Sequence, residues 1–185
     1  MTRVIYSLVV LALFSVSACA EIVIRDVNWQ LALQVAKKQR SYHDIRTWLF
    51  PPTDKAKIRA RAMLRLGNKG TDDETAVLLR YAFTARLRKI GSKENGAWTV
   101  PFHVEEKRIT VFKKMSDMAV PLPINRVALY AYLGRMFHAG YWPDAFKVQI
   151  MVEPRAGESF DGRLLEKELS VIWETADGKG SGENQ

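Results

Sequence analysis

Cysteine is almost missing from this sequence: Cys19 is the only one in 185 residues. A single thiol forms no intramolecular disulfide, and there is no Cys-x-x-Cys pair for zinc or redox chemistry. Histidine is scarce too, with His43, His103 and His138 far apart and never in H-x-x-x-H spacing. Metal sites usually take three protein ligands, so no metal and no cofactor is expected. The chain also lacks a Walker loop and a Gly-x-Ser-x-Gly elbow. Its N-terminal uncharged run, Val4 to Val16, has 13 residues, short of the roughly 20 that span a bilayer. No internal repeat is visible. Disulfide scaffolds, metalloenzymes and nucleotide-phosphate enzymes are thereby set aside.

What is present begins with that run. Met1-Thr2-Arg3 is a short positive start, the 13 uncharged residues follow, and small residues Ser17-Ala18-Cys19-Ala20 precede the first acid, Glu21. Residues 1–20 resemble a bacterial secretory signal peptide. Val16-Ser17-Ala18-Cys19 resembles the lipobox of bacterial lipoproteins. That resemblance implies diacylation of Cys19 and a mature chain starting there. A second cleavage chemistry stays open, because Ala18-Cys19-Ala20 also fits an A-x-A site, and cleavage after Ala20 discards the thiol. Lipidation is the preferred expectation. It implies a periplasmic protein tethered to a membrane, and Ala20 rather than Asp after the cysteine resembles outer-membrane sorting.

Charge is unevenly placed. The formal net charge is +8, yet residues 37–90 alone carry 14 Lys and Arg against 5 Asp and Glu. Such a segment attracts anionic partners. An envelope protein or an anionic membrane surface fits an exported chain, whereas nucleic acid does not.

The patterning suggests an α+β fold: N-terminal helices, then a β-β-α-β-β unit with a small antiparallel sheet. Residues 21–176 read as one domain, helical over 21–90 and sheet-bearing over 97–176, with 177–185 a disordered tail. Val27, Trp29, Leu31, Leu33 and Val35 alternate like a strand, but the Leu-, Ala-, Gln- and Lys-rich composition favours a helix to about Arg40. Thr53 reads as the N-cap of a second helix with Ile58, Ala62, Met63 and Leu66 on one face, ended by Gly67. Thr71-Asp-Asp-Glu74 reads as a capping box for a third, running to Ile90 with two apolar stripes. After the 91–97 loop, Trp98, Val100, Phe102 and Val104 mark an edge strand containing Pro101, with Glu105-Glu106-Lys107 as a turn. Pro121 and Pro123 stop the next element. Asn125 caps a helix from Arg126 to Ala139, apolar nearly all round and so buried, with Gly134 a point of close packing and Gly140 its left-handed end. Strands follow over Phe146–Val152 and around Leu169–Trp173.

Site candidates are few. On a helix, Lys57, Arg61 and Arg65 at steps of four share one face and form the candidate partner- or anion-binding surface. Trp29, Tyr42, Trp48, Phe50, Trp98, Tyr141 and Trp142 lie near element ends, where aromatics serve as interface anchors or cap core edges. The expected function is binding: an envelope accessory or assembly factor using the basic helical surface. The alternative is a periplasmic hydrolase with His103 or His43 as general base. A pocket holding either histidine beside a carboxylate or hydroxyl favours it, and a histidine on a flat surface counts against it.

Overall fold

The computed structural model describes residues 21–34, 41–50, 57–154 and 160–173. These residues form ten strands and one helix in the order β1 (Ile22–Gln34), β2 (His43–Ile45), β3 (Thr47–Phe50), β4 (Lys57–Asn68), β5 (Glu74–Lys89), β6 (Ala97–Trp98), β7 (His103–Val111), β8 (Met118–Pro123), α1 (Arg126–His138), β9 (Tyr141–Val152) and β10 (Leu164–Trp173). One sheet has the order β2-β1-β4-β8 and is antiparallel throughout. The other has the order β3-β10-β9-β5, with β6 and β7 both on the free edge of β5 and only the β3–β10 pair parallel. The architecture is two packed sheets, not the expected α+β fold with N-terminal helices. Among the described residues of 21–90 there is no helix.

The reason is visible in β4. Ile58, Ala60, Ala62, Leu64 and Leu66 are buried, and they alternate with Arg59, Arg61, Met63 and Arg65. Period two buries one face of a strand completely. The helical reading used Ile58, Ala62 and Leu66, but steps of four are also even steps, so that trio fits either structure. In β5 the two supposed stripes interleave into one inward face: Val77, Leu79, Tyr81, Phe83 and Ala85 are all buried. Packing against a second sheet overrides the helix propensity of Ala, Leu, Arg and Lys. Gly67 and Glu74 belong to strands rather than helix ends. Thr53, the expected cap, lies outside the described residues, as do residues 35–40 and the 177–185 tail.

The inner faces meet in one continuous core. Trp29 of β1 lies against Phe83 of β5, ring centroids 5.6 Å apart, and its Nε1 donates to the Lys167 carbonyl of β10 at 3.3 Å. Trp48 packs on Phe146 at 5.2 Å. Both tryptophans, read as possible interface anchors, are core residues with 2% and 1% exposure.

The β8 edge is protected. Pro121 does not stop its element: it lies inside β8, which ends at Pro123. The Ile124 N–H donates to the Ala60 carbonyl of β4 at 3.0 Å. By alternation, the missing N–H groups of Pro121 and Pro123 fall on the open edge, where no ladder bond is lost. The Pro121 carbonyl on that edge accepts from Lys107 Nζ at 2.9 Å. Residues 105–107 are the middle of β7 rather than a turn.

Helix α1 keeps its expected cap. The Asn125 side chain accepts from the Val127 and Ala128 N–H groups at 2.9 and 3.2 Å, and Gly140 takes φ +83°. Its burial differs from expectation. Leu129, Tyr132 and Leu133 are buried, whereas Val127, Tyr130 and Phe137 are exposed. A Cβ added at Gly134 would meet nothing within 4 Å, so close packing does not explain that glycine. A tight glycine is Gly96, where a Cβ would lie 2.2 Å from the Leu87 carbonyl oxygen of β5.

Candidate functional site

The outward face of β4 carries the basic row. Arg59, Arg61 and Arg65 share it because a strand alternates, not because of a helical step. Lys57 opens the strand, and its side chain lies outside the described residues. Successive arginines two residues apart stand about 7 Å from one another along the strand.

The row is not uniformly available. Arg65 is ion-paired with Asp117. Arg61 donates from Nε to Gln30 Oε1 at 2.8 Å, its guanidinium lies 3.7 Å from the Tyr42 ring centroid, and Gln30 Nε2 in turn donates to Asp44 Oδ1 at 2.7 Å. Arg59 makes no ion pair among the described residues, and neither does Arg126, which follows the helix cap. Arg59 was legible by parity with Arg61 and Arg65. Arg126 was not, because only the β8–α1 junction brings it to β4.

That junction builds a pocket of about 370 Å3, lined in part by Tyr42, Arg59, Pro123, Asn125, Arg126 and Val127. Among the described residues, two cations line it and no carboxylate does. The positive end of α1 adds to the same potential, since its first turn has no acid. The arrangement suits a carboxylate or phosphate group that meets one guanidinium from β4 and another from α1. A second pocket of about 240 Å3 lies on the other sheet, lined in part by Arg80, Ala82, Val104, Gln149, Met151 and Leu164. Its Arg80 is held by Glu106 at 2.6 Å and Glu153 at 4.0 Å, and the Glu106 bond and charge raise the guanidinium pKa.

Neither pocket is lined by His43 or His103. His43 is exposed on β2, its Nε2 3.1 Å from Ser41 Oγ. His138 is exposed at the end of α1. His103 shares a strand face with Glu105, and that face points into the sandwich; the exposed side belongs to Val104, 68% exposed. His103 stacks on Phe83, centroids 5.8 Å apart. Its Nε2 is buried, 3.4 Å from Glu105 Oε2 and outside hydrogen-bond geometry. The same Glu105 oxygen accepts from the Tyr81 hydroxyl at 2.6 Å. Burial, then that bond, push the Tyr81 phenol well above its ordinary value. Burial lowers the Lys107 ammonium, partly offset by Glu105. Inward-pointing polar side chains on an edge strand hinder pairing with another chain, which accounts for His103, Glu105 and Lys107 without catalysis.

Among the described residues, no three His, Cys, Asp or Glu side chains converge on a metal position, and no helix is long and apolar enough to cross a membrane. The chain matches no protein-family model and no curated protein sequence.

Proposed function

We propose that this is an exported envelope protein, tethered through a lipidated Cys19, that binds an anionic group of a partner at the junction of β4 and α1. The observation carrying this reading is the pocket with Arg59 and Arg126 in its lining and no carboxylate among the described residues. The basic surface inferred from the sequence thus becomes a sheet-and-helix junction, with Arg59 and Arg126 taking the part first given to Lys57, Arg61 and Arg65.

Pyrophosphate is a suitable probe for titration calorimetry with residues 21–185. A hydrogen bond to a charged group is worth about 1.5–3 kcal/mol, so Arg59→Glu and Arg126→Glu should each weaken binding by about tenfold or more. Arg65→Glu should change it far less, since Asp117 already pairs with that cation. Affinity unaffected by both Arg59→Glu and Arg126→Glu would refute the proposal. The hydrolase reading has less behind it: among the described residues, the one histidine beside a carboxylate has its Nε2 buried, and a general base must reach its proton.

A further inference from the structure

The two ends of the sandwich differ in chemistry and in their relation to the N-terminus. The Glu21 N–H donates to Asn68 Oδ1 at 3.2 Å, and the Lys69 N–H donates to the Glu21 carbonyl at 3.0 Å. The chain therefore enters the fold where β4 ends. Helix α1 sits where β4 begins: the Tyr130 hydroxyl accepts from the Ile58 N–H at 3.3 Å, and the Ile90 N–H donates to the Gly140 carbonyl at 3.0 Å. From Asn68 back to Ile58 the strand runs about 35 Å.

The α1 end presents apolar surface set among cations. Val127 and Ala131 lie on the helix side opposite Leu129, Tyr132 and Leu133. Val127 is 74% exposed, and Tyr130, Ile90 and Tyr141 are 40%, 47% and 43% exposed. Residues 118–143 contain no Asp or Glu but include Arg126 and Arg135, both exposed.

We infer that this end of the molecule docks a protein surface combining carboxylates with apolar side chains, held away from the membrane that anchors the chain. The inference rests on the anion-binding and tethering reading above. Two residue steps from Cys19 to Glu21 reach at most about 7 Å, so a lipid at Cys19 holds the opposite end near the bilayer and leaves α1 tens of ångströms away. Charge complementarity selects an acidic protein face, and the exposed helix side supplies the apolar centre that a polar rim surrounds.

The test is in-cell photocrosslinking of the full chain with a photoreactive residue at Val127 or Ala131 and, as a control at the far end, at Lys113. The expected result is a protein adduct from Val127 and Ala131 but not Lys113, with a crosslinked peptide that mass spectrometry identifies as rich in Asp and Glu. Arg126→Glu with Arg135→Glu should reduce it about tenfold. The Cys19→Ser chain should not float with phosphatidylglycerol–phosphatidylethanolamine vesicles. Phospholipid adducts at Val127, or flotation abolished by Val127→Ser, would overturn the inference in favour of a bilayer, and an adduct to a second copy would overturn it in favour of self-association. Absence of any α1 adduct with pyrophosphate binding intact would overturn the inference alone; loss of both would remove the anion-binding reading as well.

Discussion

Met63 and Leu64 are neighbours whose fates a strand and a helix assign oppositely. The helical pattern places Met63 on the apolar face with Ile58, Ala62 and Leu66 and leaves Leu64 off it. In β4 Leu64 is fully buried beside Val27 and Val120, its partners on β1 and β8, while Met63 faces outward between Asn28 and Pro121. Leu64→Ala deletes most of a side chain with 0% exposure. Such deletions cost about 2–5 kcal/mol through lost burial plus the residual cavity. For a chain of this size, 3 kcal/mol corresponds to a Tm lowered by about 6–12 °C. Met63→Ala removes a half-buried side chain on the outer face and should cost less than about 1 kcal/mol. Urea unfolding followed by tryptophan fluorescence reads both variants on the 21–185 chain, with an unchanged slope confirming that midpoints report stability. If Met63→Ala proved at least as destabilising as Leu64→Ala, the period-two account of β4 would be wrong.

Three further outcomes follow from particular contacts. Gly96→Ala should destabilise by about 1–3 kcal/mol, since its Cβ would press into the Leu87 carbonyl of β5, whereas Gly134→Ala, with open space around it, should be neutral or stabilising by up to about 1 kcal/mol; thermal melts of both check this. Tyr81 has a folded-state pKa raised above its unfolded value of 10.0. Its stabilising contribution is therefore fully present below pH 10 and is progressively lost as pH rises above it toward the folded value, so Tyr81→Phe should flatten the alkaline loss of stability measured by urea midpoints between about pH 9 and 11. Trp29→Phe should cost about 1–3 kcal/mol by equilibrium unfolding, because it removes the bond to the Lys167 carbonyl and leaves part of the indole volume empty.

How much was legible depends on which signal each segment carried. The α1 boundaries followed from Asn125 and Gly140, because caps are local chemistry. The alternation in β9 was equally plain, since Phe146, Val148, Ile150 and Val152 are all buried. In β1 the alternation of Val27, Trp29 and Leu31 was visible but was outweighed by helix-forming composition. In β4 the Ala, Leu and Arg content concealed the alternation over Ile58–Leu66, because residues at steps of four satisfy both periods. Those segments are strands because a facing sheet buries their apolar side, a non-local fact that propensity cannot express. The same limit applied to the site. Parity alone would have added Arg59 to Arg61 and Arg65, but the capture of Arg65 by Asp117 and the approach of Arg126 depend on tertiary folding. Glu105 was read as part of a turn, and only the sheet pairing sets it on one strand face with His103 and points that face inward.

As proposed above, Arg59 and Arg126 create an anion site at the β4–α1 junction. Amide NMR shifts of 15N-labelled residues 21–185, recorded as pyrophosphate is added, test it most directly. Saturable shifts should centre on Arg59, Asn125, Arg126 and Val127 and vanish in Arg59→Glu. Shifts centred on His103 and Glu105 instead, or none at the junction, would contradict it.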